Sequence, residues 1–308
     1  MEQEKIFAKV ETCTNLTALE MKISIEKRST PVFLPAFCNE WDALRLWNDK
    51  NCLESLIENK SISVENYKDE RYLWIERSHT EMPVVEFLEK LFGMNSGRPA
   101  YLADVSIACA KRFGLPKFPN FAKNICFPEF IPKKRFRTAG LFLGNSSTTQ
   151  CHFHPISQAL ICQVIGKKTL FLIAPEAEYF LNPFPAMSKE MNWSQLQFSM
   201  NKIPDVLWNS PYNIYKVELS PGDSLFIPIH WWHSAHSEGL SASVTFFWDA
   251  TIREVAKSPF PLRTLRYLRR DFSWMKSKLF HFLKKPCEPG DSNNLSFGIF
   301  NKIHGKVL

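Results

Sequence analysis

Two short histidine elements carry the chemistry of this chain. The first is Thr149-Gln150-Cys151-His152-Phe153-His154, and the second closes the run Pro221-Gly222-Asp223-Ser224-Leu225-Phe226-Ile227-Pro228 with Trp231-Trp232-His233. On a strand, residues i and i+2 share a face, so His152 and His154 can point into one site. A third imidazole from a distant strand would complete a facial metal site. Two histidines and one carboxylate on one face of a metal, with the other face open, are the donors of non-haem Fe(II) oxygenases. Here the donors in view are three imidazoles, His152, His154 and His233.

Neighbouring residues add weight to an otherwise weak H-x-H. Gln163 to Pro175 reads as strand, tight turn at Gly166, then strand, with Lys168 entering the second strand. A lysine on an apolar strand needs an anion, whereas Lys167 reads as solvated. Pro221-Gly222-Asp223 is a turn feeding the apolar strand Ser224 to Pro228. His230 and His236 fall around a strand end and loop, so only His233 of that group should face a metal. His79, His281 and His304 have no partners in sequence. Cys151 and Cys162 read as small core residues.

The elements around these residues are mainly β. Gly140 to Leu143, Ala159 to Ile165, Thr169 to Ile173, Tyr215 to Leu219, Ser224 to Pro228 and Ala242 to Trp248 are short β-type runs separated by turn residues. That pattern predicts a sandwich or barrel over 101–250. Residues 1–100 read as mixed α/β. Strands are predicted at 31–34, 61–64 and 72–75, and helices at 40–56 and 83–92. Residues 251–308 read as a basic segment, amphipathic and helical from Arg253 to Leu283, with a loosely ordered end.

Composition sets outer limits. With 308 residues, 45% apolar and 14% aromatic, the chain can bury a large core, and its 11 Gly argue against disorder. The net charge of +7 is moderate and concentrates in the C-terminal segment. Eight cysteines form no C-x-x-C pair, so neither a zinc ribbon nor a thioredoxin-type site is signalled. No run approaches a membrane span, and the first residues lack an apolar signal core. Reduced thiols in the cytoplasm, or the nucleus, are the expectation.

Taken together, Thr-x-x-His, Gln-x-x-Gly-x-Lys and Pro-Gly-Asp-x-Leu-Phe-Ile-Pro-x-x-Trp-Trp-His resemble the JmjC subgroup of cupin-type Fe(II)- and 2-oxoglutarate-dependent oxygenases. The likeness covers roughly 100–250, with an echo upstream in Pro31-Val32-Phe33, Trp41 and Trp47. It implies a double-stranded β-helix (jelly-roll) core with an N-terminal mixed α/β region and C-terminal helices. By position, it implies His152 and His233 as iron ligands, and Lys168, Thr149 and Tyr101 as contacts of the far carboxylate of 2-oxoglutarate. It further implies a macromolecular substrate, a protein side chain or a modified tRNA base, and a homodimer through C-terminal helices.

The departure from the family is His154, where the pattern has Asp. Three readings stay open: a neutral third ligand, a side chain turned away from a weakened metal, or an inactive member that uses its pocket for binding. Imidazole suits Fe, Zn, Cu and Ni alike. Pro155 limits how far the backbone can adjust to the larger ring. A binding scaffold, or a three-histidine metalloenzyme without 2-oxoglutarate, are the alternatives to an oxygenase.

Overall fold

The computed structural model describes residues 7–14, 18–58, 61–66, 78–93, 100–186, 188–258 and 262–269. The N-terminal region runs β1 (Glu11–Thr12), α1 (Ala18–Lys27), β2 (Val32–Leu34), α2 (Ala43–Leu46), α3 (Lys50–Ile57), β3 (Ser61–Asn66), β4 (Ser78–Pro83) and α4 (Val84–Phe92). The core continues with β5 (Ala100–Cys109), β6 (Phe136–Asn145), β7 (Thr148–His152), β8 (Ser157–Ile165), β9 (Lys168–Ile173), α5 (Asp205–Trp208), β10 (Ile214–Leu219), β11 (Ser224–Ile227), β12 (Trp232–His236) and β13 (Leu240–Asp249). Two short helices follow, α6 (Ile252–Lys257) and α7 (262–269). No helix among the described residues is long and apolar enough to cross a membrane.

Nine strands form a major sheet in the order β1-β2-β11-β8-β13-β6-β5-β3-β4, and four form a minor sheet in the order β10-β9-β12-β7. The two sheets pack through one apolar cluster. Ala159 and Ile161 of β8 meet Leu170 and Leu172 of β9 and Val217 of β10 there. The short strands predicted a sandwich or barrel, and this is the jelly-roll core that the family resemblance implied.

β8 is buried along its whole length, and its alternation shows why. Ala159 and Ile161 face the minor sheet. Leu160, Cys162 and Val164 face outward into a second cluster with Trp41, Trp47, Leu53, Phe87 and Leu88 of the N-terminal region. The period-2 geometry of a strand thus serves two cores. The N-terminal helices bury the outer face of the major sheet, and Trp47 at their centre is fully buried. Truncating it would cost about 3–5 kcal/mol.

The predicted helix at 40–56 is two helices. The first stops at Leu46; Asp49 is extended and its side chain accepts the Asn51 N–H, which caps the start of the second. The predicted strand at 72–75 lies outside the described residues. So does the predicted C-terminal helix beyond α7, together with His281 and His304. α1 was not foreseen; its weak amphipathicity hides it in the sequence.

Candidate metal centre

β7 and β12 are antiparallel neighbours in the minor sheet, and their register sets His233 directly opposite His152. A bulge follows between His233 and Ala235. Their rings lie 4.3 Å apart between centroids. His154 joins them, 4.7 Å from His233 and 5.3 Å from His152. One nitrogen from each of the three rings lies within 4.8 Å of the others.

His154 reaches this cluster by a route the i, i+2 reading did not foresee, because β7 ends at His152. Past that point the backbone pairs with a loop: the Phe153 N–H donates to the Asn192 carbonyl at 2.9 Å, and the Asn192 amide donates to the Phe153 carbonyl at 3.0 Å. The His154 carbonyl accepts the His230 N–H at 3.1 Å. The bend before Pro155 is thus fixed from both sides.

Hydrogen bonds orient two of the rings. His152 Nδ1 lies 2.9 Å from the Gln150 carbonyl, and His233 Nδ1 lies 3.0 Å from the Trp231 carbonyl. A carbonyl only accepts, so each Nδ1 carries the proton and each Nε2 keeps its lone pair. This outer support is what metal-binding histidines require. His154 Nδ1 is buried and makes no hydrogen bond. Burial pushes the His154 imidazole well below its usual pKa, and His233 pushes it further. Burial brings His233 down to about 4. Both rings are therefore neutral at pH 7 with lone pairs to donate, and the donor set fits a divalent metal that accepts imidazole.

The walls of the site come from several elements. Trp193 stacks on His152 at 4.4 Å and 17°, and Phe247 meets His154 edge-on at 5.2 Å. A cavity of about 420 Å³ opens over the three rings; Tyr101, Thr149 and Lys168 line it together with Trp193, Phe247 and Tyr267. At one side the Tyr101 hydroxyl and Thr149 Oγ1 are 3.2 Å apart. Lys168 is buried and hydrogen-bonds Ser243. Among the described residues no carboxylate pairs with it, and burial lowers its pKa to about 7. A buried lysine with no carboxylate partner among the described residues, on a cavity it shares with the Tyr101 and Thr149 hydroxyls, suits a small carboxylate.

All six residues singled out from the sequence line this one cavity. Lys167 is exposed and Cys151 and Cys162 are fully buried, as expected. His236 bonds Thr148 and Ser234, away from the cluster. His230 holds a left-handed backbone at φ 69° and is buried between Ser258 and Thr264. Thr264 donates to the Pro155 carbonyl at 2.6 Å, so the His230 ring ties α7 to the loop carrying His154.

Ser243, Asn192, Trp193, Phe247 and Tyr267 were not singled out. The first had a signal. Ser241, Ser243 and Thr245 alternate with Ala242, Val244 and Phe246, and the polar set is buried too. A buried strand with one polar face marks a pocket. Nothing local marks Asn192 and Trp193, which reach the site from the long connection between β9 and β10.

A family model described as a cupin-like domain matches residues 18–254. Jumonji C domain-containing protein 5 of Drosophila melanogaster is 26% identical over 234 residues, 71% of this chain and 54% of the relative. Lysine-specific demethylase 8 of Xenopus tropicalis is 26% identical over 226 residues, 71% of this chain and 48% of the relative. tRNA wybutosine-synthesizing protein 5 of Homo sapiens is 28% identical over 132 residues, 43% of this chain and 40% of the relative. The chain spans about half the length of the curated relatives it matches.

Proposed function

The chain belongs to the cupin-like JmjC family, and on that premise we propose that it is an Fe(II)- and 2-oxoglutarate-dependent oxygenase with a three-histidine metal site. His152, His154 and His233 hold the iron. Lys168, Thr149 and Tyr101 receive the far carboxylate of 2-oxoglutarate. Bound there, iron and keto acid supply the chemistry: dioxygen is activated as 2-oxoglutarate is decarboxylated to succinate, and a carbon of the substrate is hydroxylated. The substrate is a protein side chain or a modified nucleic-acid base. The names of the relatives, demethylases and a tRNA-modifying protein, support both classes.

One observation carries this reading. The buried Lys168 ammonium, which no carboxylate neutralises among the described residues, opens on the same cavity as the three imidazoles. A metal site without a carboxylate co-substrate has no use for it. The remaining residues orient and protect. Trp193 covers one side of His152, and Phe142, lying 5.6 Å from the Lys168 ammonium, dries that end of the cavity. Three neutral donors leave the metal with one more positive charge than an aspartate-containing site would. That strengthens the hold on a dianionic keto acid.

Residue 154 also favours a second reading, a binding scaffold that has lost catalysis. Succinate formation under air, with Fe(II) and 2-oxoglutarate supplied, separates the two. We expect slow turnover that His233→Ala abolishes. Silence in the native chain, with activity appearing in His154→Asp, would establish the scaffold.

A further inference from the structure

The excursion between β5 and β6 is a basic stretch of the described surface. Residues 110–137 contain Lys111, Arg112, Lys117, Lys123, Lys133 and Lys134, all exposed, and Glu129 is their only acidic residue. Arg137 adds to them, whereas Arg135 is taken up by Glu254 at 2.8 Å and Glu26 at 3.8 Å. Asp249 pairs with Arg112 at 2.7 Å and with Arg137 at 2.6 Å, which cancels one of those two charges. The five lysines make no ion pair among the described residues.

The two ends of the excursion, Lys111 and Arg112 on one side and Lys133 to Arg137 on the other, form one face. The Arg112 guanidinium reaches the Lys134 carbonyl, and the Ala110 N–H donates to the Arg137 carbonyl at 2.8 Å. The two ends of the excursion are thus stitched together. An aromatic ring sits among them: Phe113 is 47% exposed, with the Arg112 and Arg137 guanidinium carbons 4.8 and 4.6 Å from its centroid. Leu115 beside it is 93% exposed. Arg137 and Thr138 then line the 420 Å³ cavity over the histidines, so the face runs into the cavity mouth.

We propose that this face binds single-stranded nucleic acid and leads a nucleotide into the cavity. The lysines suit a phosphate backbone, and the Phe113–arginine layer offers planar surfaces on which bases stack. An acidic peptide would use the cations and leave Phe113 and Leu115 without a role. A duplex keeps its bases stacked and away from the floor of a concave site, whereas an unpaired base enters it. The idea rests on the oxygenase reading only for what happens to the base; the binding surface stands by itself.

The experiment is fluorescence anisotropy on the full chain with no added metal or 2-oxoglutarate. The probes are labelled RNA and DNA single strands of about 12 nucleotides. A poly-glutamate peptide of matched charge is the competitor. We expect affinity that falls with salt at a log–log slope of about −2 to −3, as three or four phosphate contacts would give. The triple variant Lys111→Glu/Lys133→Glu/Lys134→Glu should lose at least about tenfold in affinity. Phe113→Ala should lose about fivefold or more with its salt slope unchanged. A preference for the RNA or the DNA strand identifies the physiological source. Absence of binding, equal competition by poly-glutamate, or a triple variant that binds like the native chain would each overturn the proposal. Because neither metal nor co-substrate is present, these outcomes are independent of whether the oxygenase reading holds.

Discussion

His233 stands directly across from His152 in the β7–β12 pair, and the bulge that follows it falls between His233 and Ala235. The register thus fixes two members of the histidine cluster as cross-strand partners. The third, His154, is placed by a loop rather than by the sheet. A cross-strand pair is as rigid as the sheet that makes it, so the consequences of substitution differ among the three.

His154→Ala removes a donor without touching the sheet. We expect the variant to fold with a melting temperature near that of the native apoprotein, and to bind Fe(II) at least about tenfold more weakly. Anaerobic titration checks this. Unchanged Fe(II) affinity would show that the His154 ring does not bind the metal.

Lys168 trades stability for binding. Its pKa is about 7 when folded, against an ordinary lysine value of 10.5. Between those values the unfolded chain binds more protons, so this group makes stability rise with pH from about 7 to 10.5 and penalises folding below 7. Lys168→Met should therefore raise apoprotein stability near pH 6, by on the order of 2–4 kcal/mol. The same variant should lose 2-oxoglutarate binding. Denaturant unfolding and calorimetric titration read the two effects separately, and a variant that is less stable at pH 6 would count against the account.

His230 and His236 are held neutral by burial, each down to about pH 4 against a usual value of 6.5. The unfolded chain takes up more protons between those limits, so stability is complete above 6.5 and declines as pH falls toward 4. We expect the apoprotein melting temperature to drop steeply between those two pH values. His230→Asn should flatten that decline while loosening α7 from Pro155. A flat stability profile in the native apoprotein would contradict the assignment.

Gly166 turns β8 into β9 at φ 63°, and an added Cβ would lie 2.1 Å from the Leu240 carbonyl oxygen. Gly166→Ala should destabilise by about 2–4 kcal/mol. Because the turn sits two residues before Lys168, co-substrate binding should weaken as well. Urea unfolding tests the first effect.

Much of the site could be read in the chain because it lies on strands with local punctuation. Gly166 announces the turn before Lys168, and Pro221-Gly222 the turn before the run that ends at His233. The alternation of β8 and β13 also shows directly in their residues. What could not be read depends on long-range pairing. Nothing near His152 says that Trp193 stacks on it, because the two meet through an isolated bridge between strand β7 and a loop. The split of the 40–56 helix hinged on one Asp49 side chain capping Asn51, a signal easily missed beside the apolar spacing of Trp41, Leu44 and Trp47.

The central claim is that three imidazoles and Lys168 together chelate iron and 2-oxoglutarate. The most direct measurement is anaerobic titration of the metal-free chain with Fe(II) and 2-oxoglutarate, following the iron-to-keto-acid charge-transfer absorption. The account predicts that the band appears in the native chain and is lost in Lys168→Ala with Fe(II) affinity preserved. Metal binding without the band would contradict it, and would leave the three histidines as a site for other chemistry.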